Sequence, residues 1–208
     1  MHILPVLLFC MAALGLIADP VKPALNKPVI ILDAGHGGHD VGAKVPYLKE
    51  KKLALFTTLL TKKYLDEMGY KVILTRAHDA YVPLQKRVHL AEKVKADLFV
   101  SIHYNASKNK EAKGIEVYYC HTDSQGKVKA SRSLAAKVLS NLVATTEASS
   151  RGVKGAKFHV IRETQMPSIL VEAGFITNPD ECLLLKSRAY VEKIAKGIAT
   201  GIDNYCKS

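Results

Sequence analysis

The stretch Val29-Ile30-Ile31-Leu32-Asp33-Ala34-Gly35-His36-Gly37-Gly38-His39-Asp40 constrains the fold of this chain most. Pro28 precedes an apolar run and glycines follow it. That pattern predicts a strand buried on both faces, as in a parallel sheet, that delivers the chain into a loop. The glycines around His36 leave the backbone open to close approach. In open α/β sheets, chemistry gathers at the carboxyl ends of the strands. His36 is therefore a candidate metal ligand or general base; the plainer alternative is a turn that contains a histidine.

The rest of the chain alternates in the same way. Glu50 to Met68 shows helical periodicity, with Leu53, Phe56, Leu59, Leu60, Tyr64 and Met68 on one face and Gly69 to end it. Lys71–Thr75 reads as a strand, Leu84 to Val94 as a helix, and Asp97 to His103 as a strand with a second histidine at its carboxyl end. Gly114–Cys120 alternates, which suggests a half-exposed or edge strand. A polar turn over His121 to Lys129 leads to a helix over Ser131 to Thr145. Phe158–Ile161 and Ile169–Ala173 read as further strands, and Pro179 to Tyr205 as a helical region broken near Ser187. The expected fold is α/β, a single domain with a mostly parallel twisted sheet and helices on both faces. A length of 208 residues is sufficient for one full core.

Residues 1–20 contain no Lys or Arg, and Ile3 to Ile17 is almost wholly apolar. Residues 1–18 therefore read as a secretory signal peptide, short for a membrane span, and 19–27 as an extended lead-in to a catalytic domain over 28–208. The expectation is export to the periplasm or the medium, with membrane contact only through an uncleaved signal. Cys120, Cys182 and Cys206 would remain after cleavage, an odd number. The sequence carries 30 Lys+Arg against 19 Asp+Glu, a formal charge of +11, which favours an anionic partner. The lysines are scattered and not interleaved with aromatics, so nucleic acid is not the expected partner.

Placement singles out four side chains. His36 follows the first strand, His103 ends the third, Glu172 lies in the last strand, and Glu50 opens the first helix near the same rim. Two histidines and a carboxylate form a common catalytic zinc set with one position left for water, and a further carboxylate serves as general base. Alone, Glu50 reads as a first-turn acid complementing the helix dipole, and His103 as a buried histidine bonded to backbone. Glu172 is harder to set aside, because a carboxylate in an apolar strand is costly without a partner. His39, His78, His89, His121 and His159 have no such placement and read as surface or structural.

Asp33-Ala34-Gly35-His36-Gly37-Gly38-His39-Asp40, with Gly42-Ala43 and Glu50-Lys51, resembles the opening of the zinc-dependent N-acetylmuramoyl-L-alanine amidases of the amidase 3 type. Thr75-Arg76 with Asp79, Leu84, Arg87, and the run Ala96 to Ala106 are similar to the family's central block, and Pro167 to Asn178 to its closing block. The resemblance runs from Val29 to Tyr205, with small departures at Lys49, Glu92 and Lys93. It implies that His36, Glu50 and His103 bind Zn2+ and that Glu172 is the catalytic acid/base. It further implies hydrolysis of the amide between N-acetylmuramic acid and L-alanine in peptidoglycan or muropeptides, in cell-wall remodelling or division. The expected state is a monomer.

Two other functions compete. A non-catalytic peptidoglycan-binding relative would be expected to lack Glu172 or a ligand, and all four residues are present. A serine penicillin-binding or carboxypeptidase activity would use an S-x-x-K motif, which Ser107–Lys110 and Ser124–Lys127 both match. The supporting S-D-N and K-T-G elements are missing, and both matches fall in stretches that read as polar loops.

Overall fold

The computed structural model describes residues 27–208; the expected signal peptide lies outside the described residues, as does Cys10. In chain order the elements are β1 (Val29–Ala34), β2 (Lys44–Val45), β3 (Leu48–Lys49), α1 (Glu50–Glu67), β4 (Lys71–Leu74), α2 (Leu84–Lys93) and β5 (Leu98–Asn105). They continue with β6 (Ile115–Tyr119), α3 (Gln125–Thr146), β7 (Ser150–Gly155), α4 (His159–Glu163), β8 (Ser168–Phe175), α5 (Pro179–Leu185) and α6 (Arg188–Cys206). Among these elements, none of the helices is long and apolar enough to cross a membrane.

Six strands form one sheet in the order β4-β1-β5-β8-β6-β7. All neighbours run parallel except β6, which is antiparallel to β8. β1 is central enough to be covered twice: Ile30, Ile31 and Leu32 are wholly buried. Each such side chain contributes about 1.5–3 kcal/mol relative to exposure. Ile30 and Leu32 pack into the larger core under α1, α3 and α6, and Ile31 into the smaller one under α2 and α4. Helices therefore cover both faces, as the alternation of the sequence requires.

Helix α1 departs in detail from its apolar pattern. Leu59 is exposed, and Thr57, Thr58 and Thr61 lie fully buried on the inner stripe. Thr57 and Thr61 donate their hydroxyls to the carbonyls of Leu53 and Thr57, which satisfies them within the helix.

Several local expectations are corrected. Phe158–Ile161 is not a strand: Phe158 caps the short helix α4, which buries Val160 and Ile161 against the sheet. Four apolar residues do not separate helix from strand by periodicity. The segment from Gly35 to Lys49 is not all loop, since β2 and β3 form an antiparallel hairpin there. α3 starts at Gln125, six residues before the expected Ser131, because the Ser124 hydroxyl accepts from Lys127 N and caps it. β6 is one strand in from the edge; the edge is β7, a Ser-Arg-Gly-Val-Lys-Gly segment without alternation. The terminal helical region, by contrast, breaks where the sequence predicts, at Lys186 and Ser187 between α5 and α6. Cys120, Cys182 and Cys206 are free.

Candidate metal centre

The site is built on a charged platform at the end of β1. Asp33 is buried and accepts from Arg87 Nη1, Thr75 Oγ1 and Ser101 Oγ, each at 2.7 Å. Burial opposes its charge, but Arg87 and the two hydroxyls win and hold the carboxyl below its ordinary range. Arg76 donates to the carbonyls of Ala34, Gly35, Lys51 and His78, and Arg87 to those of Val82, Ala34 and His36. Two guanidinium groups thus anchor the backbone of the histidine loop. They hold His36 at φ 59, a left-handed conformation that a non-glycine residue rarely takes.

That conformation aims His36 at Glu50. His36 Nε2 is 3.0 Å from Glu50 Oε1, and His103 Nδ1 is 2.9 Å from the same oxygen. The two imidazole rings meet edge to face, with centroids 4.8 Å apart. Close approach requires glycine at two points. A Cβ on Gly35 would lie 2.4 Å from the His103 ring, and one on Gly42, at φ +66, would lie 2.5 Å from Glu50 Oε2.

Glu50 is the first residue of α1, turned inward and 4 % exposed. Its Oε2 accepts from Ala43 N at 2.8 Å and its Oε1 from Tyr104 N at 3.2 Å. Burial works against its charge, yet hydrogen bonds from His103 and His36 outweigh that and hold the carboxyl well below the carboxylate range. Asp40 takes the far side of His36: Nδ1 lies 2.9 Å from both carboxylate oxygens. A carboxylate only accepts, so Nδ1 donates to Asp40, and Nε2, on the Glu50 side, is the ring's ligand atom once its proton gives way to a metal. Sequence reading gave Asp40 no role; its one signal was its place four residues after His36 in a glycine loop.

His36, Glu50 and His103 are the group of possible ligands found among the described residues, with their ligand atoms within 4.8 Å of one another. The donor chemistry fits zinc. Ligand atoms on a tetrahedral zinc stand roughly 3.3 Å apart, given bonds of about 2.0–2.1 Å, and two imidazoles with a carboxylate are a common set. The carboxylate behind His36 is the usual support for a metal-binding imidazole.

Glu172 stands beside this group. It is the register partner of His103 across β5 and β8, and of Glu116 across β8 and β6. Its Oε2 is buried without a hydrogen-bond partner. Burial first, then the charges of Glu50 and Glu116, push its carboxyl well above the ordinary range. An orphaned buried oxygen beside a ligand cluster is where a bound water or substrate would complete the structure. A cavity of about 290 Å³ opens beside the two histidines, lined by His36, Asp40, Tyr81, Leu84, His103 and Val160. The other five histidines among the described residues are not in the cluster; His39 instead packs on the Tyr81 ring.

A family model for N-acetylmuramoyl-L-alanine amidase matches residues 30–204. An uncharacterized protein of Bacillus subtilis, YqiI, is 41 % identical over 90 % of this chain and 89 % of its own length. The N-acetylmuramoyl-L-alanine amidase LytC of the same organism is 36 % identical over 91 % of this chain, and the chain spans only 38 % of LytC's length. Among solved structures, an N-acetylmuramoyl-L-alanine amidase from Clostridium difficile superposes with a TM-score of 0.83 at 36 % identity, covering 88 % of this chain and 98 % of that one.

Proposed function

The chain belongs to the N-acetylmuramoyl-L-alanine amidase family, and from that premise we propose that His36, Glu50 and His103 hold a zinc ion with which Glu172 hydrolyses the amide between N-acetylmuramic acid and L-alanine of peptidoglycan. The observation that carries the reading is convergence. Two imidazole nitrogens meet one oxygen of Glu50, with an unpaired, buried carboxylate in register beside them.

When bound, zinc supplies the Lewis acid that acidifies a water and polarises the amide carbonyl. The protein residues do the rest. Asp40 holds the His36 ring in one tautomer, and Tyr104 N and Ala43 N fix the Glu50 carboxylate. Glu172 accepts a proton from the attacking water and returns it to the departing amine nitrogen. A carboxyl raised by burial and neighbouring charge is suited to taking and giving a proton near neutral pH.

The same reading has the enzyme acting on the cell wall outside the cytoplasm, as a monomer, on peptidoglycan or muropeptides released from it. Its +11 charge suits a substrate whose stem peptides carry carboxylates. Nucleic acid has no part in it, and the membrane none beyond an uncleaved signal. The test is to incubate the purified chain with muropeptides, with and without chelator, and to identify the products by mass. A stem peptide with a free amine and a sugar product ending in N-acetylmuramic acid with a free lactyl carboxylate, lost on chelation and restored by zinc, are expected. Cleavage elsewhere, or cleavage indifferent to chelator, would defeat the reading.

A further inference from the structure

A row of polar side chains crosses the sheet away from the candidate metal centre. His103 on β5, Glu172 on β8 and Glu116 on β6 are successive register partners, and Arg151 follows on the edge strand β7, where the pairing of β6 and β7 is shifted. Glu116 is 3 % exposed and heavily supplied with donors. Its Oε1 accepts from Asn105 Nδ2 at 2.6 Å and Tyr118 OH at 2.7 Å. Its Oε2 accepts from both Arg151 Nε at 2.9 Å and Lys154 Nζ at 2.5 Å.

One cation is enough to compensate Glu116. Two are present, each about a third exposed, and neither makes a second ion pair among the described residues. The surplus positive charge faces solvent at the end of the row. Arg151 is also held in place: its guanidinium lies 4.8 Å from the Phe175 ring centroid, and Nη1 reaches Lys113 O at 3.3 Å. The Nη2 edge makes no hydrogen bond to the described residues. A guanidinium fixed on one edge and open on the other has the geometry that binds a carboxylate.

We propose that Arg151, with Lys154 beside it, is the carboxylate-recognition element of the substrate groove, holding a free carboxylate on the second or third residue of the stem peptide. The proposal rests on the function proposed for the metal centre. The span supports it. Arg151 lies two strand spacings from Glu172, about 9–10 Å, and an extended peptide advances about 3.3–3.6 Å per residue. The charge decides which part of the substrate lies there. The glycan strand presents hydroxyls and acetamides, whereas the stem peptide presents carboxylates, so the peptide runs toward β7.

The test compares three muropeptides on the full, zinc-loaded chain: one with free carboxylates, one amidated on the second stem residue and one amidated on the third. One of the amidated forms should lose roughly 10- to 100-fold in kcat/KM, chiefly through KM, the worth of a charge-assisted hydrogen bond. Arg151→Gln should abolish that difference by weakening only the acid forms, Arg151→Lys should restore part of it, and Lys154→Gln should reduce it by less. Thermal midpoints identify a variant that fails to fold, and Lys154→Gln then carries the comparison. Indifference of the native protein to both amidations, or an equal loss on all three substrates in Arg151→Gln, overturns the inference alone. No cleavage of any of the three by the native protein overturns the functional reading as well.

Discussion

His103 and Glu172 are register partners on the adjacent parallel strands β5 and β8, yet only His103 reaches the Glu50 carboxylate. On the function proposed above, the pair separates metal binding from proton transfer. Native protein should hold about one equivalent of zinc, as a three-ligand site does. His103→Ala and Glu50→Ala should lose metal and activity together. Glu172→Gln should keep the metal and the fold while turnover falls roughly 10²- to 10⁴-fold, the usual worth of general acid/base catalysis. Metal analysis beside single-turnover rates checks this. A Glu172→Gln protein that turns over normally would remove Glu172 from the mechanism, and one that loses zinc would move it among the ligands.

Asp40 offers a finer test of the same centre. It touches no other ligand candidate than His36, whose Nδ1 donates to it at 2.9 Å. Asp40→Asn removes the acceptor that fixes the tautomer while keeping the side chain's size. Zinc affinity should fall about 10- to 100-fold, the usual cost of losing such a support. Competition with a chromophoric chelator measures it, and unchanged affinity would show that Arg87 and the loop backbone alone position the ring.

The strand ends were legible because an apolar run that stops at a polar residue marks both a strand and its rim. That signal placed His36 and His103, Glu172 stood out as a carboxylate inside an apolar strand, and helix periodicity placed Glu50 at its start. Residues that act through partners distant in sequence gave no such signal. Glu116 meets Arg151 and Lys154 across a strand that carries two glycines and no alternation, so neither the strand nor its charges could be read. Arg76 and Arg87 look like ordinary cations of a basic chain, yet both are buried beneath the histidine loop.

Asp33 and Arg87 form a pair at 2.7 Å with both side chains nearly inaccessible. Burial disfavours the Asp33 charge, but Arg87 and two hydroxyls lower its pKa below the usual value. A carboxyl lowered on folding adds stability above its unfolded pKa of about 3.9, and that stability is lost as pH falls through the lower, folded value. Asp33→Asn should therefore cost about 3–5 kcal/mol at neutral pH, the penalty for breaking a buried ion pair, and should flatten the loss of stability below about pH 4. Urea unfolding of both proteins at pH 7 and in mild acid measures this; parallel curves would mean that Asp33 is not the acid-sensitive group.

The last prediction concerns Ser124 and Lys127, one of the two S-x-x-K matches. The structure corrects their placement, since Ser124 caps α3 and so does lie at a helix start. The contacts nevertheless assign the pair a structural part. The serine hydroxyl accepts from Lys127 N, and the buried Lys127 ammonium donates to Asp123 Oδ2 at 2.6 Å, to Arg162 O at 3.2 Å and to Thr164 O. That ammonium ties the first turn of α3 to the end of α4 and does not point at the serine oxygen as an activating base would. A tagged penicillin should leave the protein unlabelled at Ser124. Lys127→Met should lower stability by about 1–3 kcal/mol, because buried carbonyls lose their donor. Amidase turnover per folded molecule should be unchanged, as Lys127 takes no part in the ligand cluster. Covalent labelling that disappears in Ser124→Ala would establish a second, serine-based activity and overturn the structural assignment.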